Sequence, residues 1–260
     1  MPSAVVNGTE IDYADSGGDG PVVVLSHGIL MDQSMFASQV EALAPEFRVI
    51  TWDQRGHGGT RARGPFSYWD SARDLLGLLD HAGVQRAVLG GMSQGGFVSL
   101  RAALLAPDRV AGLILIDTQA GHEDPAIAQG YEQLHDVWRE QGPGPVQEVV
   151  SSIILGPGQW DDWYAKWAAM DIDQFTPAFR CLMDRDDITG RLGEIDCPVL
   201  ILHGSADAAI PLAKAEELRE GLGGPARLAV IDGGTHASNV SHPVEVSAEM
   251  LAFLRNLDRS

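Results

Sequence analysis

Six short apolar runs are interleaved along the chain with stretches of helical spacing, and few folds can use that alternation. The runs are Val22–Leu25, Arg48–Trp52, Ala87–Leu89, Leu113–Ile116, Val199–Leu202 and Leu228–Ile231. Apolar residues fill them without polar alternation, which suits strands buried on both faces of a parallel sheet. Gln33–Leu43, Tyr68–Ala82, Gln94–Ala106, Leu212–Gly221 and Pro243–Leu257 repeat apolar residues every three or four positions and read as helices. Strand and helix at such short intervals predict an α/β fold with right-handed crossovers. The amino end differs: Val5-Val6 and Ile11–Tyr13 flank Asn7-Gly8, the signal of a two-residue hairpin turn.

The alternation stops between about Gly121 and Gly190. Four of the six Trp fall there (Trp138, Trp160, Trp163, Trp167). Thirteen acids against four bases give that stretch −9, half of the chain's net charge of −18. We read residues 121–190 as a helical cap inserted into a core made of 1–120 and 191–260. The cap is expected over the carboxyl ends of the strands, where open α/β sheets bind ligands.

A net charge of −18 argues against a nucleic-acid partner and against anionic membrane surfaces. No run of 18 apolar residues and no signal-peptide pattern after Met1 is present, which predicts a cytoplasmic protein. Cys181 and Cys197 form no CxxC pair and fit a reducing compartment. At 260 residues the chain can bury a core without a disulfide or metal staple. Self-association into a homo-oligomer stays open.

Chemistry concentrates at Gly91-Met92-Ser93-Gln94-Gly95, between a predicted strand and a predicted helix. A Ser on so sharp a turn is forced into a strained backbone and projects its hydroxyl from the sheet edge, with the helix amino terminus behind it. Such a hydroxyl needs a base, and the base needs an orienting acid. Asp207 lies on the loop after the Val199–Leu202 run, and His236 on the loop after the last run. The order Ser93, Asp207, His236 is that of a nucleophile-elbow hydrolase. Two backbone N–H groups should receive the oxyanion: Gln94, after the nucleophile, and Ile29, in Ser26-His27-Gly28-Ile29.

Other residues compete for these roles. Asp53 ends a strand beside Arg55 and reads better as a turn residue. Asp117 also ends a strand and is the second candidate for the acid. His27, His57, His122 and His203 read as local hydrogen-bonding residues rather than bases, and His122, which opens the cap, is the best placed of them to touch substrate. Trp160, Trp163 and Trp167 have helical spacing, so they either pack on the core or line a pocket. No HExxH, no phosphate loop and no G-x-G-x-x-G is present, so neither a catalytic metal nor a nucleotide site is expected.

Taken together, His27-Gly28, Asp53-Gln-Arg55-Gly56-His-Gly58, Gly91-x-Ser93-x-Gly95, Gly204-x-x-Asp207-x-x-x-Pro211 and Gly233-Gly-x-His236 resemble the α/β-hydrolase superfamily. The resemblance covers nearly the whole chain outside 121–190. It implies a mostly parallel twisted sheet of about eight strands with an inserted helical cap, and a cofactor-free Ser-His-Asp hydrolase similar to carboxylesterases and enol-lactone hydrolases. Dehalogenases and epoxide hydrolases of that superfamily use an Asp nucleophile, which Ser93 excludes.

The sequence therefore predicts a small-molecule ester or lactone as substrate, bulky and apolar or aromatic given the Trp-rich cap. Carbon–carbon bond hydrolysis of ring-cleavage products, thioester hydrolysis and perhydrolysis use the same triad. A rival of another class is a hydrolase-fold sensor that binds a small ligand and signals through its cap.

Overall fold

Asn7 and Gly8 both take left-handed backbone angles (φ 48° and 73°), as a tight hairpin turn between right-twisted strands requires. The turn joins β1 (Ser3–Val6) to β2 (Thr9–Asp15). The computed structural model describes residues 2–257. Within them follow β3 (Val22–Ser26), α1 (Ala37–Leu43), β4 (Arg48–Trp52), α2 (Tyr68–His81), β5 (Ala87–Met92), α3 (Gln94–Leu105) and β6 (Val110–Ile116). Then come α4 (Pro125–Gln141), α5 (Gln147–Ile154), α6 (Asp161–Ala169), α7 (Ile172–Met183), β7 (Val199–Gly204), α8 (Leu212–Gly221), β8 (Ala226–Ile231), α9 (Ser238–Ser241) and α10 (Pro243–Leu257).

The described residues form one eight-stranded sheet in the order β1-β2-β4-β3-β5-β6-β7-β8. β1, β2 and β4 pair antiparallel, and every pairing from β4 through β8 is parallel. Successive strand residues point to opposite faces. Val24, Leu113, Leu115 and Ile201 face one core with α2, α3 and α8. Val23, Leu25, Ile114, Ile116, Leu200 and Leu202 face the other with α1 and α10. Helices on both faces explain the unbroken apolar runs.

Two local readings need correction. β8 is the sheet's edge strand, so Leu228–Ile231 is not buried on both faces, and Val230 is 46% exposed. The predicted helix Gln33–Leu43 begins with a 3-10 turn, Gln33–Phe36, capped by the Asp32 carboxylate accepting from Ser34 N–H.

α4 through α7 lie between β6 and β7, where no strand intervenes. Eleven of the thirteen acids in 121–190 are exposed, so the negative charge of this region is turned mostly to solvent. The helices are tied to the loop after β3: Lys166 pairs with Asp32 at 2.7 Å, and Trp167 Nε1 donates to the Leu30 carbonyl at 2.7 Å. Arg101, 1% exposed on α3, pairs with Asp186 at 2.7 Å and secures the far end. Among the described residues no helix is long and apolar enough to cross a membrane.

Candidate active site

Ser93 stands between β5 and α3 with φ 51° and ψ −114°, angles that L residues rarely take. The surroundings impose them. Ser93 N–H donates to the Ile116 carbonyl, and its own carbonyl accepts from Thr118 Oγ1 at 2.7 Å and from Gly96 N–H at 2.9 Å. The two flanking glycines are required by contact. A Cβ at Gly95 would strike the Ser26 carbonyl, and one at Gly91 would strike the backbone of Gly95. The residue is 5% exposed and lines a cavity that His236 also lines.

Asp207 and His236 meet at the carboxyl ends of β7 and β8. His236 Nδ1 lies 2.9 Å from Asp207 Oδ2. A carboxylate only accepts, so Nδ1 carries the proton and Nε2 is left as the basic nitrogen. The other Asp207 oxygen accepts from Ala209 and Ile210 N–H at 2.8 and 2.9 Å. Burial works to raise the Asp207 pKa, but the imidazole beside it and these N–H bonds outweigh burial and hold it below the usual carboxylate value. For His236, burial works downward, and the charge and hydrogen bond of Asp207 more than compensate, so its pKa lies above the ordinary 6.5. The end of α5 clamps the His236 loop: Ala237 N–H donates to the Ile154 carbonyl at 2.7 Å and Thr235 Oγ1 to the Leu155 carbonyl at 3.2 Å.

Two N–H groups remain for an anion. Gln94 is the first residue of α3, so its N–H has no acceptor within the helix. Its side chain is engaged elsewhere, with Oε1 accepting from Tyr68 OH at 3.1 Å. In the loop after β3, Gly28 N–H meets Met35 Sδ, Leu30 N–H donates to His57 Nε2 at 3.3 Å, and Met31 N–H donates to the Gly28 carbonyl. Among Gly28, Ile29, Leu30 and Met31, Ile29 is the residue whose N–H has no acceptor, and Ile29 lines the cavity.

The cavity encloses about 80 Å³. Its wall is largely apolar, with Leu134, Trp138, Ile154, Phe175 and Phe179 prominent, and its polar members besides Ser93 and His236 are Glu123, Tyr131 and His135. Both Glu123 oxygens are occupied, one by Arg185 Nη2 at 2.9 Å and the other by Gln119 Nε2 at 3.0 Å.

The substrate-contact residues expected from sequence lie elsewhere. His122 is exposed and outside the cavity wall; its neighbour Glu123 takes that place. Trp160, Trp163 and Trp167 do not line it either. Trp167 is fully buried and anchors the cap to Leu30, Trp163 lies under the Lys166 ammonium at 4.3 Å, and Trp160 Nε1 donates to the Gly156 carbonyl. The pattern that marks the wall is on α4, where Tyr131, Leu134, His135 and Trp138 recur at helical spacing.

His27, His57, His135 and His203 are buried and hydrogen-bonded, and burial lowers the pKa of each. His27 accepts from Gln54 N–H through Nε2 and donates through Nδ1 to the Gly28 carbonyl; burial lowers its pKa to about 4. Burial takes His57 down to about 3. Asp53 is a turn residue, accepting from Gln33 and Gly59 N–H. Asp117 bonds to backbone N–H groups of Gly204 and Ser238, whereas His236 bonds to Asp207. Asp117, His203 and Asp207 bring ligand-type atoms within 4.8 Å of one another, but the carboxylate oxygens are aimed at N–H donors and His203 Nε2 at the Ile210 carbonyl. That is a hydrogen-bonded cluster and not an open set of metal ligands.

Comparison with known proteins follows this geometry. Residues 21–152 match the family described as alpha/beta hydrolase fold, and residues 183–259 match the family described as TAP-like protein. A Rhizobium rhizogenes protein named as a carbamate hydrolase, RutD, is 31% identical over 250 residues, covering 91% of this chain and 94% of its own. The enol-lactonase of Burkholderia xenovorans LB400 superposes with a TM-score of 0.89 at 28% identity, covering 98% of this chain and all of its own. A thermophilic esterase from Thermogutta terrifontis superposes with a TM-score of 0.86 at 29% identity, with 98% of each chain covered.

Proposed function

This chain belongs to the α/β-hydrolase fold family and is a hydrolase, and from that premise we propose that it cleaves carboxylic esters or lactones through an acyl-enzyme. Ser93 Oγ attacks the acyl carbonyl and His236 Nε2 takes its proton. Asp207 holds the imidazole in the required tautomer and stabilises the imidazolium. Ile29 and Gln94 N–H groups receive the oxyanion. The imidazolium then protonates the leaving alcohol, and the neutral imidazole activates the water that releases the acid.

The observation that carries this reading is the bond from His236 Nδ1 to Asp207, on a cavity that Ser93 shares. Structural likeness to an enol-lactonase and an esterase supports the choice of acyl-oxygen bonds. The wall favours an uncharged, apolar substrate, because a carboxylate placed there would lose its hydration and meet Glu123. Size bears on the expected bulky group: a cavity of ~150 Å³ admits benzene, and this one holds about 80 Å³. The group bound inside it is therefore short.

A second reading, carbamate hydrolysis, is favoured by the 31% identical relative named for that activity. The same groups would act on a carbamate carbonyl. One panel separates the two: p-nitrophenyl esters from acetate to octanoate, aliphatic lactones, and the matching carbamates. Ester or lactone turnover falling with acyl length supports the proposal. Turnover confined to carbamates overturns it.

A further inference from the structure

Asp117 is a buried carboxylate that the reaction above does not use. It follows β6, is 0% exposed, and takes a left-handed backbone angle of φ 47°. Its N–H is held by the Leu202 carbonyl. Oδ1 accepts from Gly204 N–H at 2.7 Å, three residues before Asp207. Oδ2 accepts from Ser238 N–H at 3.0 Å, two residues after His236. One carboxylate therefore joins the roots of the two loops whose side chains meet at Asp207 and His236.

We propose that Asp117 is a positioning residue, which sets the loop of the acid against the loop of the base and does so only when ionised. The inference rests on the triad reading of Ser93, Asp207 and His236. A carboxylate offers an acceptor on each oxygen, and both donors here are backbone N–H groups. A protonated carboxyl must aim its own O–H somewhere, and one of the two N–H bonds is then lost. Misplacing a catalytic group by a fraction of an ångström is enough to slow the reaction.

The electrostatics agree with a group kept for function at some cost to the fold. The titratable groups facing Asp117 are Asp207, His236 and His203. Burial, and then the charge of Asp207, raise the Asp117 pKa to about 7. Because the folded-state value lies above the ordinary 3.8, the folded chain binds this proton more tightly than the unfolded chain. The stability it contributes is lost as pH rises through about 7. The ionised form that holds both loops is thus the form the fold itself disfavours.

Asp117→Asn separates the role from simple packing. The amide oxygen keeps one acceptor and presents an NH₂ where the other N–H donor needs one. At pH 8, kcat on a short p-nitrophenyl ester and the rate of fluorophosphonate labelling at Ser93 should both fall about 10- to 100-fold, with KM little changed and Tm near wild type. In wild type, log kcat/KM should fall more steeply than a slope of one just below neutrality, one proton each on His236 and Asp117, whereas Asp117→Asn should hold a slope of one throughout. Wild-type rates in the folded variant overturn the inference. If the variant does not fold, the wild-type profile decides: a slope nowhere steeper than one along the acid limb, with circular dichroism unchanged, overturns it. Failure of wild type itself to label at Ser93 removes the triad reading, and this inference with it.

Discussion

His236 Nδ1 reaches Asp207 Oδ2 at 2.9 Å from a loop 29 residues further along the chain. Parallel pairing of β7 with β8 puts both loops at the same sheet edge, in a register where His203 lies opposite Val230 and Gly204 opposite Ile231. The contact fixes which imidazole nitrogen is free, and most of what this chain can do chemically follows from that.

Replacing Asp207 with Asn leaves the shape and removes the charge. The amide favours the wrong imidazole tautomer, so kcat on a good ester should fall by about 10⁴. Asp117→Asn should lose far less. Steady-state kinetics on the two purified variants check the order, and the reverse order would move the acid to β6.

The acid limb of kcat/KM tests the charge on His236. The imidazole must be neutral to accept the serine proton, so the rate falls as pH drops through its pKa. Asp207 holds that pKa above the ordinary 6.5, so the midpoint should lie above 6.5 in wild type and move down in Asp207→Asn. A wild-type midpoint below 6 contradicts the assignment.

Trp167 should matter for stability and, through Leu30, for rate. It is fully buried, packs edge-on against Trp138 at 5.9 Å, and donates to the carbonyl next to Ile29. Trp167→Ala should cost about 3–5 kcal/mol in denaturant unfolding. Trp167→Phe should cost less, yet lower kcat by leaving the Leu30 carbonyl unpaired. An unchanged kcat in the Phe variant would detach the Trp167 anchor from the loop that carries Ile29.

These assignments were unequally legible in the sequence. Ser93, Asp207 and His236 are each marked by their immediate neighbours: glycines around a strand-to-helix turn, and loops directly after apolar runs. Strand order was not so marked. The edge position of β8 depends on which strand pairs with which, and its apolar run does not report that. In the cap, Trp160, Trp163 and Trp167 stand out by size, but spacing on one helix does not say what the helix faces. Trp167 turns toward Leu30, while the wall comes from α4, α5 and α7, and the Tyr131-Leu134-His135-Trp138 repeat of α4 carried the signal. Asp117 reads as a spare acid in sequence, because its partners are backbone N–H groups 87 and 121 residues away.

Prolonged chelation followed by dialysis should leave the ester rate unchanged. Among the described residues, the carboxylates of the one cluster with ligand-type atoms within 4.8 Å of one another, Asp117 with His203 and Asp207, are committed to N–H donors. A chelator-sensitive rate restored by one divalent ion would contradict this.

The central claim is that Ser93 is the nucleophile, and covalent labelling reads it most directly. A fluorophosphonate should form one adduct per chain, located at Ser93 by peptide mass spectrometry. Ser93→Ala should take no label, lose at least about 10³-fold in kcat, and keep its Tm. A label on another residue, or turnover by Ser93→Ala near the wild-type rate, would contradict the account.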